Sequence, residues 1–511
     1  MKAEEERMMD EIYGEKKSMK VETKTETFEE GKKEKNSKVS SFIPLFLSFR
    51  PSFLIPFFVA LIIWLCPHAG FDAKSWGLLC VFGATISALI VRPLPSGAVV
   101  VIGMTIANVL GLVTIQEALS GFGNATVWLI VAAFIFATGF RKTRLGERIA
   151  YHVIAAFGGS SLRLGYSLVI ADLIIAPITA SNTARGGGII FPVAEGMAHA
   201  FDSRPGETAN RLGAFLMATL YQGNVVTSAM FMTAMAANPL VVELTKQTAN
   251  LRITWLQWAL AAIVPGLLSL TIVPLLVHRL SPPAVRDTCE ARALARQKLQ
   301  MLGALSGGEK LMLAIFVPVL LLWITESLHG LSATTVAYIG ITGLLLTRVL
   351  KWEDVLEEKG AWDTLIWFGG VVMFADKLNK VGLLKAFSGA AAGLVAGWRW
   401  PLALAVLLVI YLYTHYVFAS ATAHVTAMYP AFLGVAIMVG APPLLAALSL
   451  GFFSNLNASL THYGTGSAVV LYGAGYVGQT KWWQIGFVLS LIHLAIWLGI
   501  GFAWWELIGL W

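Results

Sequence analysis

Residues 178–188 read Ile-Thr-Ala-Ser-Asn-Thr-Ala-Arg-Gly-Gly-Gly, a small polar turn set between two apolar arms. Ser181, Asn182 and Thr183 supply two hydroxyls and an amide, and Arg185 adds one fixed positive charge. A degenerate copy follows at Phe418-Ala-Ser-Ala-Thr-Ala-His424, where Ser420, Ala421 and Thr422 form the tip and His424 takes the place of Arg185. Groups of this kind suit a small carboxylate, because burying such an anion is costly unless its oxygens regain hydrogen bonds. A helix starting just after each tip would also aim free N–H groups and a positive dipole end at the anion. Ser-Asn-Thr serves equally well as a plain helix N-cap. Arg185 in turn could face a substrate as counter-charge or pair with Asp172 on the preceding arm; either way a guanidinium inside an apolar hairpin is costly.

Two further polar runs interrupt long apolar stretches. One is Tyr221-Gln222-Gly223-Asn224 with Thr227 and Ser228; the other extends from Asn455 to Ser467 and includes Thr465 and Gly466. Such runs unwind easily, and their carbonyls and hydroxyls could hold a cation or the substrate. Their small residues could also simply let helices pack closely. Thr227, Ser228, Thr465 and Gly466 join the tip residues as candidate substrate ligands. His415, His424 and His462 lack H-E-x-x-H spacing and nearby carboxylates, so an intramembrane metal enzyme is a remote alternative and no metal or other cofactor is expected. The three cysteines have no metal or disulfide spacing.

The elements that must hold these groups follow from composition. The 511 residues are 57% hydrophobic and 13% charged, where soluble chains run near a quarter charged. Of the 67 charged residues, 21 fall within residues 1–40. Residues 1–42 therefore read as a charged, disordered cytosolic tail, and the remainder as an all-α polytopic membrane protein. Apolar runs long enough to span a bilayer predict about 11 transmembrane helices. Two stretches, 161–199 and 401–439, each fold two short apolar arms around a polar centre and read as re-entrant hairpins. The divisions are a first transmembrane helix at 43–72, a repeat over 73–280, a cytosolic loop at 281–310 and a second repeat over 311–511.

Thr126–Ala137 echoes Thr364–Ala375, and the tips follow at nearly the same offset. Five crossings per repeat is an odd number, so the second copy is expected to be inverted, as in secondary transporters with a midplane site. Basic loops at 141–148, 279–310 and 348–359 place the N-terminus in the cytosol. Lys377, Lys380 and Lys385 then fall on the wrong side. The net charge of +7 reflects these loops and not a nucleic-acid surface.

At both tips, and at Leu460-Thr-His-Tyr-Gly-Thr-Gly466, the chain resembles the divalent anion/sodium symporter family, in particular its 2-oxoglutarate/malate translocator and citrate/succinate-type exchanger branch. The resemblance covers about residues 45–511. It implies a homodimer moving a dicarboxylate by an elevator-like motion, with Ser181-Asn182-Thr183 and the second tip as its ligands. Ala421 stands where sodium-coupled members carry Asn, and the cationic Arg185 and His424 follow the tips. A fixed charge beside a would-be sodium site could replace the ion. The expectation is therefore sodium-independent exchange of dicarboxylates such as 2-oxoglutarate, malate or succinate in a bacterial inner membrane, with lipid as the only other partner. A sodium- or proton-coupled symporter is the alternative.

Overall fold

Away from water every backbone N–H and C=O must find an internal partner, so apolar runs of this length can be stable only as helices. A computed structural model describes Ser52 and residues 54–511, apart from 69, 180 and 394–396. The charged tail and the start of the predicted first crossing lie outside the described residues. Among the described residues every regular element is helical.

The chain opens with α1 (Leu54–Leu65), α2 (Ala73–Val91), α3 (Ser96–Val109) and α4 (Ala125–Thr143), followed by the amphipathic α5 (Leu145–Phe157). Asp72 caps α2 through Ser75 N, and Asn124 caps α4 through Thr126 N. The first hairpin is α6 (Ser161–Ile175), a π-helical stretch Thr183–Ile190 and α7 (Phe191–Ala200). Next come α8 (Gly213–Met230), α9 (Ala237–Ala249), α10 (Trp255–Leu280) and the loop helix α11 (Cys289–Leu302).

The order then recurs: α12 (Gly307–Ile324), α13 (Ala333–Leu346), α14 (Lys359–Lys380) and the short α15 (Leu383–Ala392). The second hairpin is α16 (Trp400–Tyr413), a 3-10 turn Thr414–Val417 and α17 (Ala421–Met438). It leads into α18 (Pro443–Leu456), a 3-10 turn Asn457–Leu460, α19 (Gly466–Gly473) and α20 (Gln479–Ala495).

Eight of the described helices, counted with their continuations, are long and apolar enough to cross a membrane, against about 11 expected. α1, α3 and α13 are apolar but shorter. α8 is long but polar in its middle, and α14 carries charges at both ends. Both arms of the second hairpin, by contrast, are among the eight.

The break expected in the first polar run does not fall where its residues suggested. Tyr221 to Ser228 stay helical within α8, and the chain opens only over 231–236. The reason lies in partners. Tyr221 donates to Ala458 O at 2.5 Å, Gln222 to Ser459 O at 3.2 Å and Asn224 to Asp172 at 3.1 Å. A buried polar residue with a partner does not unwind its helix. The carbonyls freed at the true break are taken by Asn238, whose amide donates to Ser228 O (2.8 Å) and Phe231 O (2.9 Å). Asn238 Oδ1 then accepts from Asn455 Nδ2 at 2.7 Å, tying the two interrupted crossings together.

Candidate substrate site

At the first tip Arg185 has no exposed surface. Its Nε donates to Asp172 Oδ1 at 3.0 Å, and Nη1 donates to Thr179 O (3.0 Å) and Ala234 O (2.9 Å). Nη2 reaches Thr227 Oγ1 (3.2 Å) and Ser228 Oγ (3.0 Å). All five guanidinium N–H groups are thus spent on protein oxygens. Asp172 is satisfied in turn by Asn224 and by the Thr227 hydroxyl. Of the two roles open to Arg185 in the sequence, the geometry is that of the ion pair with Asp172. Thr227 and Ser228, expected as substrate ligands, bond the Arg185 guanidinium as walls of this cage.

Ser181 accepts from Ala184 N at 3.1 Å, so its hydroxyl does the work of a cap. Asn182 and Thr183 are freer. Their one side-chain hydrogen bond among the described residues is a long 3.5 Å contact with each other. The backbone after them is π-helical, not α-helical, with Gly186 and Gly187 set against Asn224 and Val470 so closely that a Cβ would come within 3.2 Å. Insertions of this kind recur at functional sites.

The second tip is built differently. Ser420 and Thr422 are half-buried and have no side-chain hydrogen bond among the described residues; α17 begins without a side-chain cap. Both line a cavity of about 100 Å³ with Leu89, Ser96, Trp367 and Thr426. Ala421, expected among the ligands, is buried and spends its N–H on Gly464 O at 2.9 Å. His424, expected as a fixed cation, has no exposed surface and sits among the rings of Tyr411, His415 and Phe418. Asn457 Nδ2 lies 3.0 Å from its Nδ1, and Thr414 Oγ1 lies 3.0 Å from its Nε2. The Thr414 hydroxyl already donates to Tyr411 O, so it accepts from Nε2–H.

The two tips meet on one short segment, the break between α18 and α19. Gly464 O holds the second tip through Ala421 N, and Gly466 packs so closely on Thr183 that any Cβ there would collide with the hydroxyl. Thr465 caps α19 through Ala468 N at 3.2 Å. Ser181, Asn182 and Thr183 are not among the residues lining the cavity at the second tip.

One residue escaped the sequence reading. Arg92 closes α2 in the left-handed conformation (φ 53°), and its Nη2 donates to Ala419 O at 2.7 Å. Its one sequence signal is an Arg-Pro pair ending an apolar run.

A family model described as the sodium:sulfate symporter transmembrane region matches residues 50–511. The chain belongs to the divalent anion/sodium symporter family. As a member it is an integral membrane transporter and not an enzyme. A Bacillus subtilis protein, YflS, named provisionally as a malate transporter, is 50% identical over 90% of this chain and 96% of its own. Dicarboxylate transporter 1 of Arabidopsis thaliana chloroplasts is 46% identical over 88% of this chain and 82% of its own. The crystal structure of the Alcanivorax borkumensis YdaH transporter shares the fold, at TM-score 0.54 and 15% identity, over 79% of this chain and 89% of that one.

Proposed function

We propose that this family member exchanges small dicarboxylates, of the 2-oxoglutarate, malate and succinate class, across a membrane without sodium. The observation that carries sodium independence is the Arg185 cage. A carboxylate, two carbonyls and two hydroxyls converge there, an oxygen set that would suit a hard cation, and a guanidinium fills it. The tethered charge takes the place of a diffusible ion. Relatives named as dicarboxylate transporters support the substrate class.

In this reading Asn182 and Thr183 bind one end of the substrate, and Ser420 and Thr422 the other, with Thr465-Gly466 as the floor between. The recurring order of elements supports two inverted repeats. Their hairpins would move as an elevator against α2–α4 and α12–α14 in each subunit of a homodimer. A cytosolic N-terminus and a bacterial inner membrane complete the proposal.

Proteoliposomes test it. Vesicles preloaded with malate should take up labelled malate far faster than vesicles holding buffer alone, equally in sodium and in choline media. Equal uptake by both preparations would remove exchange, and a sodium requirement would favour symport. Arg185→Ala should abolish transport or make it sodium-sensitive; wild-type rates with unchanged ion dependence would strip Arg185 of this role.

A further inference from the structure

Next to the second hairpin lies an apolar cavity of about 360 Å³. Trp76 and Phe82 of α2 and Leu378 of α14 form one wall; Ala386 of α15 with Ala427 and Pro430 of α17 form the other. We propose that this slot holds one acyl chain of an anionic phospholipid, whose phosphate meets Lys74 and Lys385.

The slot exists because alanines face large aromatic rings. Apolar cavities of even about 150 Å³ stay dry and take up hydrocarbon-sized ligands. Left empty, this one would forfeit dispersion contacts along its whole lining. In an integral membrane protein the apolar solute at hand is lipid. Trp76 is fixed by its Nε1–H bond to Ile63 O at 2.8 Å, so the aromatic wall does not collapse inward.

Charge supplies the second observation. Trp76 near the start of α2, Leu378 near the end of α14 and Ala386 near the start of α15 line one cavity, so these three helix ends border the same slot. Lys74 lies two residues before Trp76, and Lys385 one residue before Ala386; both are exposed. Among the described residues neither forms an ion pair, whereas Lys377 and Lys380 are held by Glu117 and Asp376. Lysines with long apolar stems at such a place suit an anionic headgroup. The proposal accounts for Lys385, one of the three lysines at odds with the expected charge bias.

The test is lipid retention by the purified full-length protein, read by native mass spectrometry after exposure to equal phosphatidylglycerol and phosphatidylcholine. Wild type should retain phosphatidylglycerol preferentially. Lys74→Gln with Lys385→Gln should lower that preference on the order of tenfold, from the usual contribution of a lysine near an anionic surface. Ala427→Phe should fill the slot and abolish retention; Ala386→Leu provides the same block from the other wall should the first variant fold poorly. Full retention of phosphatidylglycerol by either folded slot variant would overturn the proposal, as would equal retention of both lipids by wild type. Lipid is read directly, so failure of the exchange reading would leave this result standing, and the reverse.

Discussion

At the scale of single residues the two tips divide their labour. In the first, Ser181 caps the backbone and Arg185 is locked by five oxygens, while Asn182 and Thr183 have only a long contact with each other among the described residues. The second is open, since the Ser420 and Thr422 hydroxyls have no protein partner among the described residues and line a cavity. Removing a hydroxyl that bonds only to substrate should harm binding and spare the fold. Ser420→Ala and Thr422→Ala should each raise the KM for dicarboxylate about tenfold, the cost of one hydrogen bond to a charged group, with an unchanged thermal midpoint. A midpoint that falls with unchanged KM would mean the hydroxyls are structural. The tips themselves were legible in the sequence because hydroxyls so rarely interrupt apolar arms. The state of their cations was not. Thirteen positions separate Asp172 from Arg185, and only the folding of the π-helical stretch Thr183–Ile190 back against α6 brings them within 3.0 Å. The surroundings of His424 likewise include Asn457, 33 residues away.

At the scale of elements, the position of each break decides what the site can use. Sequence reading placed the second break well, since small and polar residues accumulate there with few ways to stay helical. It misplaced the first, because whether Tyr221, Gln222 and Asn224 find partners depends on distant carbonyls and on Asp172. The 3-10 turn Asn457–Leu460 supplies two of those carbonyls and is itself braced by α20. Gly486 lies so near it that a Cβ would press on the Ser459 carbonyl and lie 3.1 Å from Leu460 Cα. Gly486→Ala should therefore destabilise the protein by about 1–3 kcal/mol, the range for overpacking, and slow transport by shifting the segment that joins the tips. Gly473→Ala, with nothing within 4 Å of its Cβ, is the matched control. Equal thermal midpoints and rates for the two variants would show that the turn yields without consequence.

Across the whole molecule, several of the charges at the helix ends are paired among the described residues. Arg148 and Glu309 join α5 to α12 at 2.5 Å, while Arg141 binds Glu358 and Lys142 binds Asp354. A count of loop lysines and arginines cannot see such pairing, and this is why Lys377 looked misplaced. The hydrogen bond from Lys377, followed by the backbone N–H of Thr114, holds the Glu117 carboxyl down from the ordinary 4.5 to about 2. A depressed carboxylate stabilises the fold above its unfolded value and loses that contribution as pH falls through the folded one. Glu117→Gln should accordingly flatten the loss of thermal stability between pH 4.5 and about 2,. The effect will be small, because the side chain is 39% exposed and screened by solvent,. Superimposable acid limbs for wild type and variant would show that the pair contributes nothing. The buried cage around Arg185 behaves otherwise. A cation bound from solution leaves its site in proportion to dilution, whereas one fixed to the chain has a local concentration that no medium can lower. Salt weakens exposed pairs and barely reaches buried ones. The first tip is thus loaded as soon as the chain folds, and it stays loaded in desalted buffer and in brine alike.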